Sequence, residues 1–140
     1  MTSFVTRPRR YLVRREPPSE EELRRRGGPG PAGTSAEVVR AYAEMPDGSR
    51  RAVAHHVLHS PTGFEFGYVG SGPAELARCL LIDWFDAHDH AEDPQLRLPA
   101  DYHEFAASFV ATVSRSQPEW TITAAEIQGW VRTQLGEPAT

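Results

Sequence analysis

Gly63-Phe64-Glu65-Phe66-Gly67-Tyr68-Val69-Gly70-Ser71-Gly72-Pro73-Ala74-Glu75-Leu76-Ala77 is the stretch on which the reading of this chain turns. Phe64, Phe66 and Tyr68 alternate with Glu65 and Gly67, the period of a half-buried strand. Gly70-Ser71-Gly72 then leads into Leu76, Leu80, Leu81, Trp84 and Phe85 at helical spacing, and Pro73 suits the first helical turn. The stretch predicts a strand that passes through a glycine-rich turn into an apolar helix running from Pro73 to about Asp86.

Upstream, Val38 to Met45 and Arg51 to His59 read as two strands joined by the turn Pro46-Asp47-Gly48-Ser49. Downstream, Tyr102, Phe105, Ala106, Phe109 and Val113 share one face of a helix from Asp101, with Asp101 and Glu104 placed like a capping box. Trp120-Thr121-Ile122 reads as a short strand or an extended lead-in. The last helix, Thr123 to Leu135, has a capping box in Thr123 and Glu126 and an apolar set of Ile127, Trp130 and Val131. The expectation is an α+β fold: about three N-terminal antiparallel strands packed against about three helices in two layers. It forms a single small domain over residues 35–136, with 137–140 as a C-terminal end.

Residues 1–34 read as a flexible basic tail. They contain a short apolar run, Tyr11-Leu12-Val13, but few apolar side chains in all, too little burial to offset chain entropy. Within the tail, Ser19 to Arg26 has the order of a short helix: Ser19 to cap, glutamates at the start, arginines at the end, and Gly27-Gly28 to stop it.

The whole chain has 140 residues and a formal charge of −4, and all fifteen of its basic residues are arginine. The total hides a division. Up to Arg51 there are eleven arginines against seven acids; beyond it there are four (Arg78, Arg97, Arg115, Arg132) against twelve. Such asymmetry marks a basic arm on an acidic body, able to meet nucleic acid or an acidic partner. The absence of lysine favours a solvated arm over a phosphate-binding one, so nucleic acid is not the expected partner. One cysteine, Cys79, rules out an internal disulfide and the zinc sets that need several thiolates. No apolar run reaches the length of a membrane span and no signal-peptide core follows Met1. A cytoplasmic protein with no membrane partner is expected.

Gly70-Ser71-Gly72-Pro73 is the place where chemistry is most concentrated. Free amides at a helix N-terminus attract anions, and Ser71 can cap the helix or offer its hydroxyl. The candidate ligand-binding residues are Glu65, Tyr68 (to stack), Gly70, Ser71, Gly72 and Arg78 (as countercharge), around a phosphate or nucleotide. The other reading is a tight structural turn, since the loop has neither a Walker lysine nor Gly-x-Gly-x-x-Gly spacing. If an anion binds here, deleting the tail should matter little and Arg78→Ala a great deal.

Other constellations are weaker. His55 and His59 share one face of a strand but stand about 13 Å apart at roughly 3.3 Å per residue, too far for one ion. Asp86-Ala87-His88-Asp89-His90-Ala91-Glu92-Asp93 reads as a solvated acidic loop, and no metal or cofactor is expected. Cys79 sits among Leu76 and Leu80, which argues for burial over nucleophilic duty. Ser71 lacks a Gly-x-Ser-x-Gly elbow. The last two helices have the flavour of a helix-turn-helix, but residues 101–140 hold two arginines against five acids. Catalysis is therefore not the favoured reading; it would require Glu65, Ser71 and a histidine or acid to converge in one cleft.

The central stretch, with Leu80-Leu81 and Asp83 after it, resembles a family of bacterial and phage proteins labelled domain of unknown function 6166. Its signature is similar to Gly-Phe-Glu-Trp-Gly-Tyr-Gly-Gly-Ser-Gly-Pro-Ala-Gln-Leu-Ala. The likeness extends to Tyr42 and Asp47-Gly48 upstream, and to His103, Phe105, Trp120, Ile127 and Trp130 downstream, about residues 38–132. Phe66 stands where the family usually has Trp, Val69 where it often has Gly, and Arg78 within a helix usually rich in Leu and Ala. The resemblance implies no particular activity. It leaves a non-enzymatic binding module for a small anionic ligand as the leading expectation. The alternatives are an accessory protein of bacterial or phage mobile elements acting through protein contacts, with Phe64, Phe66 and Tyr68 as surface anchors, and nucleic-acid binding through the basic tail.

Overall fold

The fold was described from a computed structural model, which covers residues 7–25, 37–58, 60, 63–88 and 102–134. In chain order it contains β1 (Arg10–Glu16), α1 (Glu20–Arg25), β2 (Val38–Glu44), β3 (Arg50–Ala52) and α2 (Ser71–His88). Then come α3 (Tyr102–Phe105), which passes directly into a π-helical turn (Ala106–Val110), β4 (Glu119–Thr123) and α4 (Ala124–Gln134). The class is α+β, a small single domain built on one antiparallel sheet of order β3-β2-β1-β4.

The sheet corrects the expected boundary of the domain. Arg10–Glu16, assigned to the flexible tail of residues 1–34, is an inner strand paired with β2 on one side and β4 on the other. Tyr11 lies opposite Ala43 and Ile122, and Val13 opposite Ala41 and Trp120. Period-two alternation sends these side chains to one face, where α2 and α4 cover them. Tyr11, Val13, Ala41, Ala43 and Ile122 are all in the core with Leu76, Leu80 and Leu81 of α2 and Ile127 and Val131 of α4. Arg10, Arg14 and Glu16 occupy the opposite face, where Arg10 pairs with Glu44 and Glu16 with Arg14 and Arg40. Three buried side chains are few for a free segment, but between two partner strands they are enough.

The other elements follow local chemistry. Ser19 Oγ accepts from the Glu22 amide at 3.2 Å while Glu22 accepts from the Ser19 amide at 2.8 Å, the reciprocal cap read in the sequence. Thr123 and Glu126 form the same box at the start of α4. At the β2–β3 turn Asp47 Oδ1 accepts from the Ser49 amide at 2.9 Å, and Gly48 takes a φ of 89° that suits glycine.

Two predicted strands are shorter than expected. β3 ends at Ala52 instead of continuing to His59, and Phe64–Tyr68 is not a strand at all. Phe64 makes one bridge to Val39, after which Gly67, at φ 88°, turns the chain. A β-carbon on Gly67 would stand 2.2 Å from Arg115 Cγ and 2.9 Å from the Val113 carbonyl, so neither the space nor the backbone admits another residue. Phe64 and Phe66 are buried in the core, which removes them as surface anchors. The helix expected from Asp101 to Val113 is divided by the π-helical turn, in which the Ala111 amide reaches the Ala106 carbonyl at 2.8 Å. His59, Gly27–Gly33, most of the acidic loop near Asp89, Asp101 and residues 137–140 lie outside the described residues. Among the described residues no helix is long and apolar enough to cross a membrane.

Candidate functional site

β3 pairs only with Tyr42–Glu44, so the earlier half of β2 keeps an open edge. The chain leaves the sheet after Ala52, with the Val53 amide still bonded to the Ala41 carbonyl at 2.9 Å, and returns to β2 at the Val39–Phe64 bridge. Between departure and return lies a cleft of about 720 Å³. Its walls are β2 from Val38 to Tyr42, His55 and Ser60 of the excursion, and Glu65, Tyr68, Ser71 and Gly72 at the start of α2, with Glu22 and Glu37 at the rim.

Four of the six residues singled out in the sequence (Glu65, Tyr68, Ser71 and Gly72) therefore meet in one cavity. Glu65 is held by Arg15 of β1, whose Nη1 stands 3.0 Å from Oε1, and it also accepts from the Phe66 amide at 3.1 Å. Arg15 lies over the Phe66 ring at 4.2 Å, so this arginine of the supposed tail serves the core and the cleft together. Tyr68 carries the Arg115 guanidinium on its ring at 4.7 Å, and one aromatic face is occupied in that way.

Gly70 and Gly72 have a steric explanation. A β-carbon at Gly70 would stand 2.7 Å from the Tyr68 ring, and one at Gly72 2.7 Å from Glu65 Cβ. They let Glu65 and Tyr68 lie against the first turn of α2. The Ala74 amide is already bonded to the Gly70 carbonyl at 3.0 Å and Pro73 has none; among the described residues the Ser71 and Gly72 amides have no bonded partner.

Arg78 is elsewhere. It does not line the cleft; it is 7% exposed and donates to the His56 carbonyl at 2.7 Å. Its role as a ligand countercharge is therefore not available from this position. Cys79, the next residue, accepts from the His56 amide at 3.3 Å, and burial pushes its thiol up to about 11, away from nucleophilic chemistry.

Sequence reasoning missed Arg15, Arg40 and Glu75, and weighed His55 only as a metal ligand. Arg40 pairs with Glu16 and Glu22 across the outer face of β2. Glu75, fully buried, accepts at one oxygen from the Leu58 and Ser60 amides, and the same oxygen lies 3.0 Å from His55 Nε2. A helical signal did exist for Glu75, which lies one turn after Ser71 on the same side. Nothing local pointed to Arg15 or Arg40, whose partners are remote in the chain. Among the described residues no three histidine, cysteine or carboxylate side chains gather as a metal set.

The sequence profile of a family of unknown function, DUF6166, matches residues 30–133. This chain belongs to DUF6166. The matched span holds the cleft's β2 wall, the central stretch and α2, whereas β1, with Arg15, precedes it. The DUF6166 domain in this chain thus draws an inner strand from outside the matched residues. Comparisons with curated proteins and with solved structures gave no match.

Proposed function

We propose that this chain is a non-enzymatic binding module whose cleft takes a small nucleotide. His55, Glu65 and Ser71 do share the cleft, but His55 Nε2 is engaged by Glu75 and Glu65 by Arg15, and among the described residues neither is bonded to the Ser71 hydroxyl. The observation that carries the reading is the convergence of Glu65, Tyr68, Ser71 and Gly72 on one cavity of about 720 Å³, a volume suited to a small organic ligand. The Ser71 and Gly72 amides at the N-terminus of α2 would receive an anionic group. The rest of the wall argues against bare phosphate. Glu22, Glu37 and Glu65 line it; Arg40 is engaged by Glu16 and Glu22, and Arg15 by Glu65, so the wall's arginine is already paired while the carboxylates keep spare lone pairs. Carboxylates accept hydrogen bonds, which sugar hydroxyls and base amino groups provide and inorganic phosphate does not.

Thermal-shift and calorimetric titration with ribonucleoside monophosphates, cyclic nucleotides and inorganic phosphate tests this. At least one nucleotide should raise the melting temperature while phosphate does not; silence from every nucleotide would sink the reading.

A protein-contact role, such as that of an accessory protein of bacterial or phage mobile elements, draws support from a different observation. Val57, Leu58 and Val69 expose more than half of their surface, and these replace Phe64 and Phe66 as the apolar groups open to a partner.

A further inference from the structure

His55 stands 27% exposed in the wall of the cleft, and its Nε2 lies 3.0 Å from Oε2 of the fully buried Glu75. The same oxygen accepts from the Leu58 amide at 2.9 Å and the Ser60 amide at 3.1 Å. An oxygen that already takes two amide protons is serving as an acceptor, so the third contact must bring a hydrogen of its own. Nε2 therefore carries it. In the neutral imidazole this is the single N–H, and Nδ1 then keeps a bare lone pair; the charged ring would carry a hydrogen on both nitrogens. Among the described residues Nδ1 has no hydrogen-bond partner, while the Phe64 ring, 4.8 Å away and tilted at 55°, fixes the plane of the imidazole.

We propose that His55, locked by Glu75 as the Nε2–H tautomer, is a ligand-selecting acceptor of the cleft, taking a hydroxyl or amino hydrogen at Nδ1. This rests on the nucleotide reading and adds to it a rule of selection. His55 shares the cleft wall with Glu37 and Glu65, whose carboxylates are acceptors as well. Such a wall favours a ligand rich in donors, with a ribose or an exocyclic amine, over one of similar charge that lacks them. A ligand that placed an acceptor there would leave two lone pairs opposed in a partly desolvated site, a cost that discriminates more strongly than a lost contact.

The tautomer is tested first without ligand. Long-range proton–nitrogen NMR on the full chain at pH 8 should show protonated Nε2 and bare Nδ1 for His55. A protonated Nδ1 would overturn the proposal. His55→Gln then separates recognition from structure, because its amide N–H₂ can still reach Glu75 while the acceptor at the Nδ1 position is gone. With the nucleotide that stabilises the wild type, His55→Gln should melt within about 2 °C of it when unliganded and bind about tenfold more weakly. Equal affinity in His55→Gln would reduce His55 to a pin for the 53–60 segment and end the proposal. Failure of all nucleotides on the wild type would instead strike the nucleotide reading, and the tautomer would be decided independently by the NMR.

Discussion

Arg78 shows how far a side chain's role depends on what lies beside it. On a helix that begins at an amide-rich turn, an arginine seven residues from Ser71 looks like a ligand's countercharge. In the fold it is buried, and it holds the His56 carbonyl at 2.7 Å. Arg78→Ala should therefore lower stability by about 1–3 kcal/mol, the range for a charged hydrogen bond to a buried group, with little effect on ligand affinity measured below the melting range. Chemical denaturation beside titration separates the two; a large loss of affinity at unchanged stability would restore Arg78 to the site. Glycines make the complementary point. Gly70 and Gly72 were legible as a turn, but the reason for them, the Tyr68 ring and Glu65 lying against α2, belongs to contacts that no residue pattern displays.

At the scale of elements, the outer face of the sheet is held by charge. Glu44 of β2 pairs with Arg10 of β1 and Arg50 of β3, and the Arg10 hydrogen bond, then that of Arg50, holds its carboxyl below the usual glutamate value of 4.5. The Ser19 amide does the same for Glu22, helped by Arg40. A carboxyl whose folded value lies below its unfolded one contributes stability that is complete above the unfolded value and lost as pH falls through the folded one. Stability should therefore decline as the solution is acidified below pH 4.5, and Glu44→Gln should show a shallower decline. Urea midpoints at pH 6 and at pH 3.5 would check it, and parallel acid limbs for the two proteins would refute it. The helices were largely readable at this scale because capping boxes and 3.6-residue periodicity are local signals, as at Thr123–Glu126. Strands were readable where turn chemistry marked them, as at Asp47–Gly48, and at Trp120–Ile122 as one of two open readings. The alternation in Phe64–Tyr68 was misleading: burial of Phe64 and Phe66 is achieved by a single bridge and a glycine bend, without a ladder.

For the whole molecule, the decisive feature is the inner strand β1. Its sequence is three apolar residues set among arginines, and 21 residues separate its end from the start of its partner β2. Removing residues 1–18 would strip β4 of its ladder partner, leave β2 paired only with the short β3, and uncover Ala41, Ala43 and Ile122. The truncated chain should fail to give a cooperative thermal transition by circular dichroism, where a dispensable tail would leave the melt unchanged. The same strand carries Arg15 to Glu65, so the cleft also depends on it.

By itself, the sequence determined the α+β class, the caps of α1 and α4, the turn at Asp47–Gly48, the membership of residues 30–133 in DUF6166, and the stretch around which the cleft is built. These are set by neighbours within a few residues, or by a pattern specific enough to match as a whole. Tertiary structure alone decided that Arg10–Glu16 is an inner strand, that Arg15 serves Glu65, that Arg78 is turned away, and that His55 meets Glu75. The physical reason is common to all four. Each depends on a partner 20 or more residues distant, and the free energy of burying and pairing those groups exists only once the chain has brought them together.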